Sequence, residues 1–141
     1  MKYESKTIVV SSSEPVELVD ITDQVRAFVQ TQSLKNGLLN LFTQHTTATV
    51  NINESCAALE EDLKDFLQKA ADPKLDYKHN KVCVDDRPNA HSHLLNFMMN
   101  NTPTIPIHHG ELILGKWQRI FFIELDGPRE KREVTLTFTG E

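Results

Sequence analysis

The chain has 141 residues, a net charge of −5 and a hydrophobic fraction of 39%, values typical of one globular domain that buries its own core. The negative charge excludes a general nucleic-acid binder, because phosphate backbones require a basic surface, and two distant cysteines exclude a zinc ribbon or a disulfide scaffold. No apolar run approaches a membrane span and the chain starts with polar residues, so we expect a cytoplasmic protein that does not associate with membranes.

The spacing of apolar residues predicts strands and helices along the whole chain. The first half of the chain is expected to form a strand over 3–10, a helix with Val25, Phe28 and Val29 on one face, and strands over 38–42 and 47–52 with a bend near His45. An amphipathic helix over 56–70 follows, and a shorter helix carries Leu94, Phe97 and Met98 to the core. The last part is expected to form strands over 102–107, 111–114, 118–125 and 133–139. Residues 74–90 are expected to be irregular. The sequence therefore predicts an α+β fold, a single compact domain over 1–141 with mixed or antiparallel β-sheets and two to three helices.

Residues 44–54 form the most distinctive segment of the chain. Every second position is uncharged and polar, and these positions are His45, Thr47, Thr49, Asn51 and Asn53. In an extended strand they share one face, while Ala48, Val50 and Ile52 form a core stripe on the other. A solvent-facing strand rarely carries such a row without charge. The pattern indicates the lining of a cavity for something small and polar.

Six histidines form the first group of candidate site residues, since imidazole is the commonest metal ligand and titrates near neutral pH. They are His45, His79, His91, His93, His108 and His109. On a helix, His91 and His93 would point about 200° apart. If that helix begins before His91, His93 is the better candidate for a cleft. The adjacent His108 and His109 point to opposite faces of a strand, so at most one of them joins a site.

Carboxylates form the second group. Glu54 ends the polar row just before a helix, where it either stabilises the helix start or orients a histidine and takes a proton. Asp62 falls on the same face as Glu54 if the helix extends that far back. The pair Asp85-Asp86 has two interpretations, a site for a divalent cation or a charged loop.

The third group is the turn from Gly115 to Arg119. Backbone amides after Gly115, with Lys116 and Arg119 nearby, are suited to hold a phosphate. The alternative is a hairpin turn in which Trp117 covers the edge of the core. Further along, Arg129, Lys131 and Arg132 are interpreted as the solvated tip of the last hairpin.

With these residues assembled, the chain resembles the YjbQ-like family of small proteins, often labelled secondary thiamine-phosphate synthase. The matching motifs run in order through most of the chain: Gln44-His45-Thr46-Thr47-Ala48, Ile52-Asn53-Glu54, Asp62, Tyr77-Lys78-His79-Asn80, Asn89-Ala90-His91-Ser92-His93-Leu94, Thr104-Ile105-Pro106, Gly110-Glu111-Leu112, Leu114-Gly115-Lys116-Trp117-Gln118 and Glu124. The chain departs from the family at the turn, where Gly-Thr-Trp-Gln-Gly is replaced by Gly115-Lys116-Trp117-Gln118-Arg119.

The resemblance implies an α+β fold, a homotrimer and a site near a subunit interface. It suggests His45, His79 and His93 as site histidines and as candidate ligands of a divalent metal, zinc-like or magnesium. It also implies that a pyrimidine-methyl diphosphate is joined to a thiazole phosphate with loss of pyrophosphate. On this basis the candidate catalytic residues are His45, Glu54 and Asp62, and the candidate substrate- and phosphate-binding residues are Thr46, Thr47, Asn53, Gly115, Lys116, Trp117 and Gln118.

Two other functions fit the same residues. Three histidines with an open coordination position and a carboxylate would suit a metal-dependent hydrolase. A non-enzymatic module that binds a small phosphorylated ligand would also need the polar row. The sequence therefore favours a thiamine-phosphate-synthase-like transferase and leaves both alternatives open.

Overall fold

Two antiparallel β-sheets and three α-helices account for the fold over residues 1–99 and 102–141, which are the residues that the computed structural model describes. The strands are β1 (Lys2–Ser12), β2 (Glu17–Asp20), β3 (Gly37–Phe42), β4 (Ala48–Glu54), β5 (Thr104–His108), β6 (Glu111–Leu112), β7 (Gln118–Glu124) and β8 (Arg129–Gly140). The helices are α1 (Thr22–Thr31), α2 (Ala57–Ala70) and α3 (Ala90–Met98), with one turn of 3-10 helix at His79–Lys81. Among these helices, none combines the length and the hydropathy that crossing a bilayer requires.

The strands form a five-stranded sheet in the order β1-β8-β3-β5-β6 and a three-stranded sheet in the order β2-β7-β4. Each described pairing is antiparallel, and β4 pairs with β7 from Ala48 opposite Glu124 to Glu54 opposite Gln118. The predicted α+β class is confirmed, as is the irregular segment around 74–90. The short strand β2 was not predicted, since its four residues carry little periodicity.

The main core lies between the two sheets, because alternate residues of each strand point inward. Val134, Leu136 and Phe138 of β8 face Val50 of β4 and Phe122 of β7 in this layer, and each of these side chains is buried. Helix α1 closes the same core with the predicted face, formed by Val25, Phe28 and Val29. Asp20 precedes it and accepts a hydrogen bond from the Thr22 N–H at 2.9 Å.

Helices α2 and α3 cover the other face of the three-stranded sheet. Leu67 of α2 and Leu95 of α3 pack there against Phe121 and Ile123 of β7. The prediction that Leu94, Phe97 and Met98 enter the core was wrong, because these side chains are 47%, 89% and 72% exposed. The face of α3 that packs instead contains Ser92, whose hydroxyl donates to the Leu125 carbonyl at 2.5 Å, and Leu95 one turn later.

Asparagine side chains cover the open edge of β4. The Leu125 N–H donates to the Thr47 carbonyl, so residues 48, 50, 52 and 54 turn their backbone groups away from β7. Asn51 Oδ1 accepts from the Ile52 N–H at 2.7 Å, Asn53 Oδ1 accepts from the Glu54 N–H at 2.8 Å, and Asn96 Nδ2 donates to the Ala48 carbonyl at 2.7 Å. The asparagine half of the polar row therefore satisfies exposed backbone groups of an edge strand.

Candidate functional site

His45 and Thr47, the first two members of the polar row, precede β4 and line a cavity of about 480 Å3. We call this cavity the histidine pocket; its lining consists of Gln44, His45, Thr46, Thr47, His79, Val84, Asp85, Asn89, His93, Arg129 and Arg132. Four parts of the chain meet here: the bend before β4, the irregular segment before α3, the first turns of α3 and the start of β8. Three of the six histidines are brought together in this way.

The histidine pocket gathers five of the predicted site residues, namely His45, Thr46, Thr47, His79 and His93. Helix α3 begins at Ala90, before His91, and His93 is the one that lines the pocket, as expected for that case. The rings of His79 and His93 meet edge to face, with their centroids 4.9 Å apart.

The other predicted site residues do not line this pocket; they are Asn53, Glu54, Asp62, Gly115, Lys116, Trp117 and Gln118. Glu54 lies opposite Gln118 at the far end of the β4–β7 pair, about 20 Å along the strand from Ala48. Helix α2 begins at Ala57, so it does not extend back to Glu54, and Asp62 is exposed. Within one chain, therefore, these seven predicted residues lie outside the histidine pocket.

His45 is held by the backbone of β8. Its Nε2 accepts a hydrogen bond from the Glu133 N–H at 2.9 Å. A neutral imidazole has one lone pair, so the proton of His45 resides on Nδ1. Partial burial, reinforced by the Arg132 guanidinium, lowers the pKa of His45 below its usual 6.5, although Glu124 and Glu133 oppose this shift. At neutral pH His45 is therefore an uncharged Nδ1–H donor.

We expect nitrogen NMR of the folded protein at pH 7 to show His45 with a protonated Nδ1 and an unprotonated Nε2. Because folding lowers this pKa, the neutral ring contributes stability that is present above pH 6.5 and is lost as the pH falls through the folded-state value. A His45→Gln variant assigns the signals by removing them. A charged ring or an Nε2–H tautomer at pH 7 would contradict the assignment.

His79 is positioned by a chain of two residues. Asp126 Oδ2 accepts from Asn89 Nδ2 at 2.9 Å, which turns Asn89 Oδ1 toward His79 Nε2 at 3.3 Å. Asp126 also accepts from Arg129 Nη2 at 2.8 Å and from Arg87 Nη2 at 3.2 Å. Although burial opposes ionisation, the bonds from Asn89, Arg87 and Arg129 hold the pKa of Asp126 below its usual value. This carboxylate ties the irregular segment to the start of β8.

A buried ion pair forms the floor of the pocket. Glu124 is 0% exposed and Arg132 is 5% exposed. Arg132 Nη2 lies 2.5 Å from Glu124 Oε1 and 3.0 Å from Thr47 Oγ1, while its Nε lies 2.8 Å from Glu124 Oε2. Burial opposes the charge of Glu124, but hydrogen bonds, first that from Arg132, keep its pKa below the usual value. The guanidinium is therefore fixed in a single orientation.

Among the residues that the structure describes, none accepts a hydrogen bond from Nη1 of either pocket arginine. Arg132 uses Nε and Nη2, and Arg129 uses Nε and Nη2 on Asp126. Among the described residues, the buried side-chain polar atoms without a partner are Glu4 Oε2 and His91 Nδ1 only. Arg132 Nη1 is not one of them and has no partner among the described residues, so it is not fully buried, and Arg132 lines the pocket.

The histidines do not fit a three-histidine metal centre as they stand. His45 has no free lone pair, because its Nε2 accepts from the Glu133 amide and its Nδ1 carries the proton. Within residues 1–99 and 102–141, no group of three or more His, Cys, Asp or Glu side chains is arranged to hold a metal ion. The metal predicted from the resemblance therefore stays a prediction without support from the donor geometry.

The turn before β7 is closed by its own side chains. The Gly115 N–H donates to Gln118 Oε1 at 2.6 Å, and the Lys116 ammonium lies 4.7 Å from the centre of the Trp117 ring. Arg119 Nε donates to Asp20 Oδ2 at 2.7 Å. These contacts occupy the amide and one of the cations that would hold a phosphate. The hairpin-turn alternative was wrong as well, because β6 and β7 belong to different sheets and Trp117 is 63% exposed.

The sequence did not identify Arg132, Asn89 or Asp126 as residues of the pocket or of its support. The interpretation of Arg132 as part of a solvated hairpin tip was wrong, because this residue lies on the inward face of β8. The signal was present: Arg132 has the same parity as Val134, Leu136 and Phe138, which the strand period sends inward. No comparable signal identifies Asn89 or Asp126, since both lie in irregular segments.

The fold and the site together define a class: small two-sheet α+β proteins with a histidine-lined pocket at the end of an edge strand. A family model described as UPF0047 protein YjbQ-like matches residues 6–141. The chain belongs to this family, and the resemblance stated from the sequence is confirmed.

Relatives in archaea share most of the chain. A UPF0047 protein of Methanothermobacter thermautotrophicus is 36% identical over 132 residues, which cover 94% of this chain and 90% of that protein. A UPF0047 protein of Archaeoglobus fulgidus is 37% identical over 127 residues, covering 90% and 95%. The crystal structure of a YbjQ-like protein of unknown function from Sulfolobus solfataricus superposes with a TM-score of 0.93 at 39% identity, covering 99% of each chain. A hypothetical protein from Aeropyrum pernix has a TM-score of 0.90 at 39% identity, covering 98% and 99%.

Proposed function

We propose that the histidine pocket binds a small phosphorylated molecule and that the protein is a transferase of the thiamine-phosphate-synthase type. The observation that carries the proposal is the meeting of three histidines and two arginines in one open cavity of about 480 Å3. Guanidinium groups are the preferred partners of phosphate oxygens, and a cavity of this size accommodates a small ligand.

The proposed reaction joins a pyrimidine-methyl diphosphate to a thiazole phosphate. The thiazole nitrogen supplies the electron pair for a new bond to the methylene carbon, while the carbon–oxygen bond breaks and pyrophosphate leaves with its bonding pair. The main demand on the protein is therefore stabilisation of negative charge on the departing pyrophosphate.

The pocket supplies groups suited to that demand. Arg132 is fixed by Glu124 and Thr47 and keeps Nη1 for a ligand, and Arg129 keeps Nη1 in the same way. His45 adds a neutral Nδ1–H donor. Donors that are already oriented lose little freedom when the charge develops, which favours the transition state over the ground state.

We also propose that the protein is a homotrimer. The predicted residues Glu54, Asp62 and Gly115–Gln118 lie away from the histidine pocket of their own chain. If they act on the same substrate, a neighbouring copy must bring them there. Multi-angle light scattering measures the assembly directly, and a monomeric mass would remove this part of the proposal.

Incubation of the purified protein with the two precursors, followed by mass spectrometry, tests the reaction. We expect thiamine phosphate and pyrophosphate in equal amounts, and we expect His45→Ala to abolish their formation. Arg132→Lys should lower the affinity for pyrophosphate about tenfold, because lysine cannot reproduce the bidentate contact with Glu124 that fixes the donor.

Lys131→Gln is the matched control, since Lys131 precedes Arg132 on β8, is exposed and does not line the pocket. It should leave both turnover and pyrophosphate affinity unchanged. Pyrophosphate binding without turnover across phosphorylated substrates would favour the ligand-binding module over the transferase. Full activity in the His45→Ala variant would overturn the assignment of the site.

A further inference from the structure

Strand β1 leaves its outer edge open. Asn36 and Glu141 exchange backbone hydrogen bonds, so the odd residues of β8 bond toward β3 and its even residues bond toward β1. By the β1–β8 register, even residues of β1 pair with β8, and the backbone groups of Thr7 and Val9 point away from the sheet. Among the described residues, none hydrogen-bonds to these backbone groups.

A groove runs along this edge. One wall is the strand segment from Lys6 to Val9, and the other is one face of α1, formed by Gln24, Ala27, Phe28 and Thr31. These helix positions are separated by one helical turn and so share one face of α1. The space between the two walls is about 490 Å3, and Ile8 and Phe28 provide buried apolar surface.

The edge strands β1 and β4 differ in how far side chains cover their outer backbone groups. The asparagines described above cover two N–H groups and one carbonyl along β4. On β1 no side chain among the described residues covers the corresponding groups of Thr7 and Val9. A strand of 11 residues with an open edge is a template for pairing with another extended chain.

The charge of the groove selects its occupant. Lys6 is the single charged residue of the lining, and within residues 1–99 and 102–141 it forms no ion pair. A carboxylate in the groove would be attracted by this ammonium, whereas a basic segment would be repelled.

We propose that the groove between β1 and α1 binds an extended acidic peptide, which adds a strand to the five-stranded sheet. Its backbone exchanges hydrogen bonds with Thr7 and Val9, and a glutamate or aspartate on its groove-facing side pairs with Lys6. This surface lies outside the histidine pocket, so the proposal does not depend on the reaction proposed there.

The test uses the full chain and a capped octapeptide of alternating valine and threonine with one central glutamate. We expect titration to shift the amide NMR signals of Thr7 and Val9. Methylating the peptide nitrogens on the side that faces β1 should weaken binding at least about tenfold, because it removes the strand-pairing donors. Replacing the peptide glutamate with lysine should weaken it about fivefold or more, and the Lys6→Glu variant should reverse this preference.

Two further variants keep the test independent of Lys6. Thr7→Pro removes an edge-facing N–H that takes no part in the β1–β8 ladder, and Thr7→Ala is its matched control, since both lose the threonine hydroxyl. Only the proline variant should lose affinity. Ala27→Trp fills the groove from the exposed surface of α1 and should also prevent binding.

Three results would overturn the proposal. One is binding that survives nitrogen methylation, because strand addition requires those donors. Another is the absence of any shift at Thr7 and Val9. The last is a concentration-dependent shift of these signals without peptide, which would assign the edge to a second copy of the chain.

Discussion

Replacing Arg132 with leucine will lower the free energy of unfolding by about 3–5 kcal/mol at neutral pH, because it leaves the Glu124 carboxylate buried without its partner. Glu124 is 0% exposed, and the guanidinium provides two of its hydrogen bonds. Urea unfolding, followed by circular dichroism, measures the loss. A change below about 1 kcal/mol would mean that the pair is not desolvated as the structure indicates.

The destabilisation caused by Arg132→Leu is expected to depend on pH. In the parent protein the lowered pKa of Glu124 contributes stability above its ordinary value of 4.5, and that contribution is lost as the pH falls through the folded-state pKa. Without Arg132, burial favours the neutral acid, so the variant gains relative stability on acidification. The difference in the free energy of unfolding between the parent protein and the variant should therefore decrease from pH 8 to pH 4.5. Lys81→Gln, which breaks an exposed ion pair with Asp76, is the control and should leave the midpoint of urea unfolding unchanged.

Replacing Asp126 with alanine will have the second largest effect and will lower the free energy of unfolding by about 2–3 kcal/mol. The change removes acceptors from Asn89, Arg87 and Arg129 together. Because those residues connect the irregular segment to β8, amide hydrogen exchange should accelerate over residues 79–89 more than in the main core. Mass spectrometry of peptides from the exchanged protein resolves the two regions.

Two comparisons make the Asp126 prediction specific. Asp126→Asn keeps the shape and one acceptor oxygen, so its loss should be smaller than that of alanine. Asp76→Ala removes an exposed carboxylate from the segment before His79 and should change neither stability nor exchange in the pocket. Uniform acceleration of exchange across both sheets in Asp126→Ala would contradict a local role for this carboxylate.

The main core was predictable because its strands are long enough for the period of two to be unambiguous. Val134, Leu136 and Phe138 alternate along β8, and Val25, Phe28 and Val29 have the three- and four-residue spacing of one face of α1. Helix α3 was harder, since a nine-residue helix presents apolar residues on more than one face. The hydrogen bond from Ser92 to Leu125, which joins residues 33 positions apart, helps to fix the packed face, and no local pattern reveals it.

The three histidines of the pocket were predictable from the sequence, whereas the residues that support them were not. His45, His79 and His93 were identified from motifs and lie together. The contacts of Asp126 with Asn89 and Arg87 join two irregular segments that carry no periodicity. Similarly, Asn51 and Asn53 share a parity with Thr47, but parity alone does not tell whether a side chain lines a cavity or bonds to its own backbone.

Helix α2 is held to the rest of the chain less firmly than any strand of the main core. Of its 14 residues only Leu67 is buried, and Phe66 beside it is 62% exposed. Little apolar surface opposes its release, so the free energy of detaching it is far below that of unfolding the two sheets. We therefore expect amide hydrogens of α2 to exchange faster than those of the main-core strands, through openings that expose Phe121 and Ile123 and leave the packing between the two sheets intact.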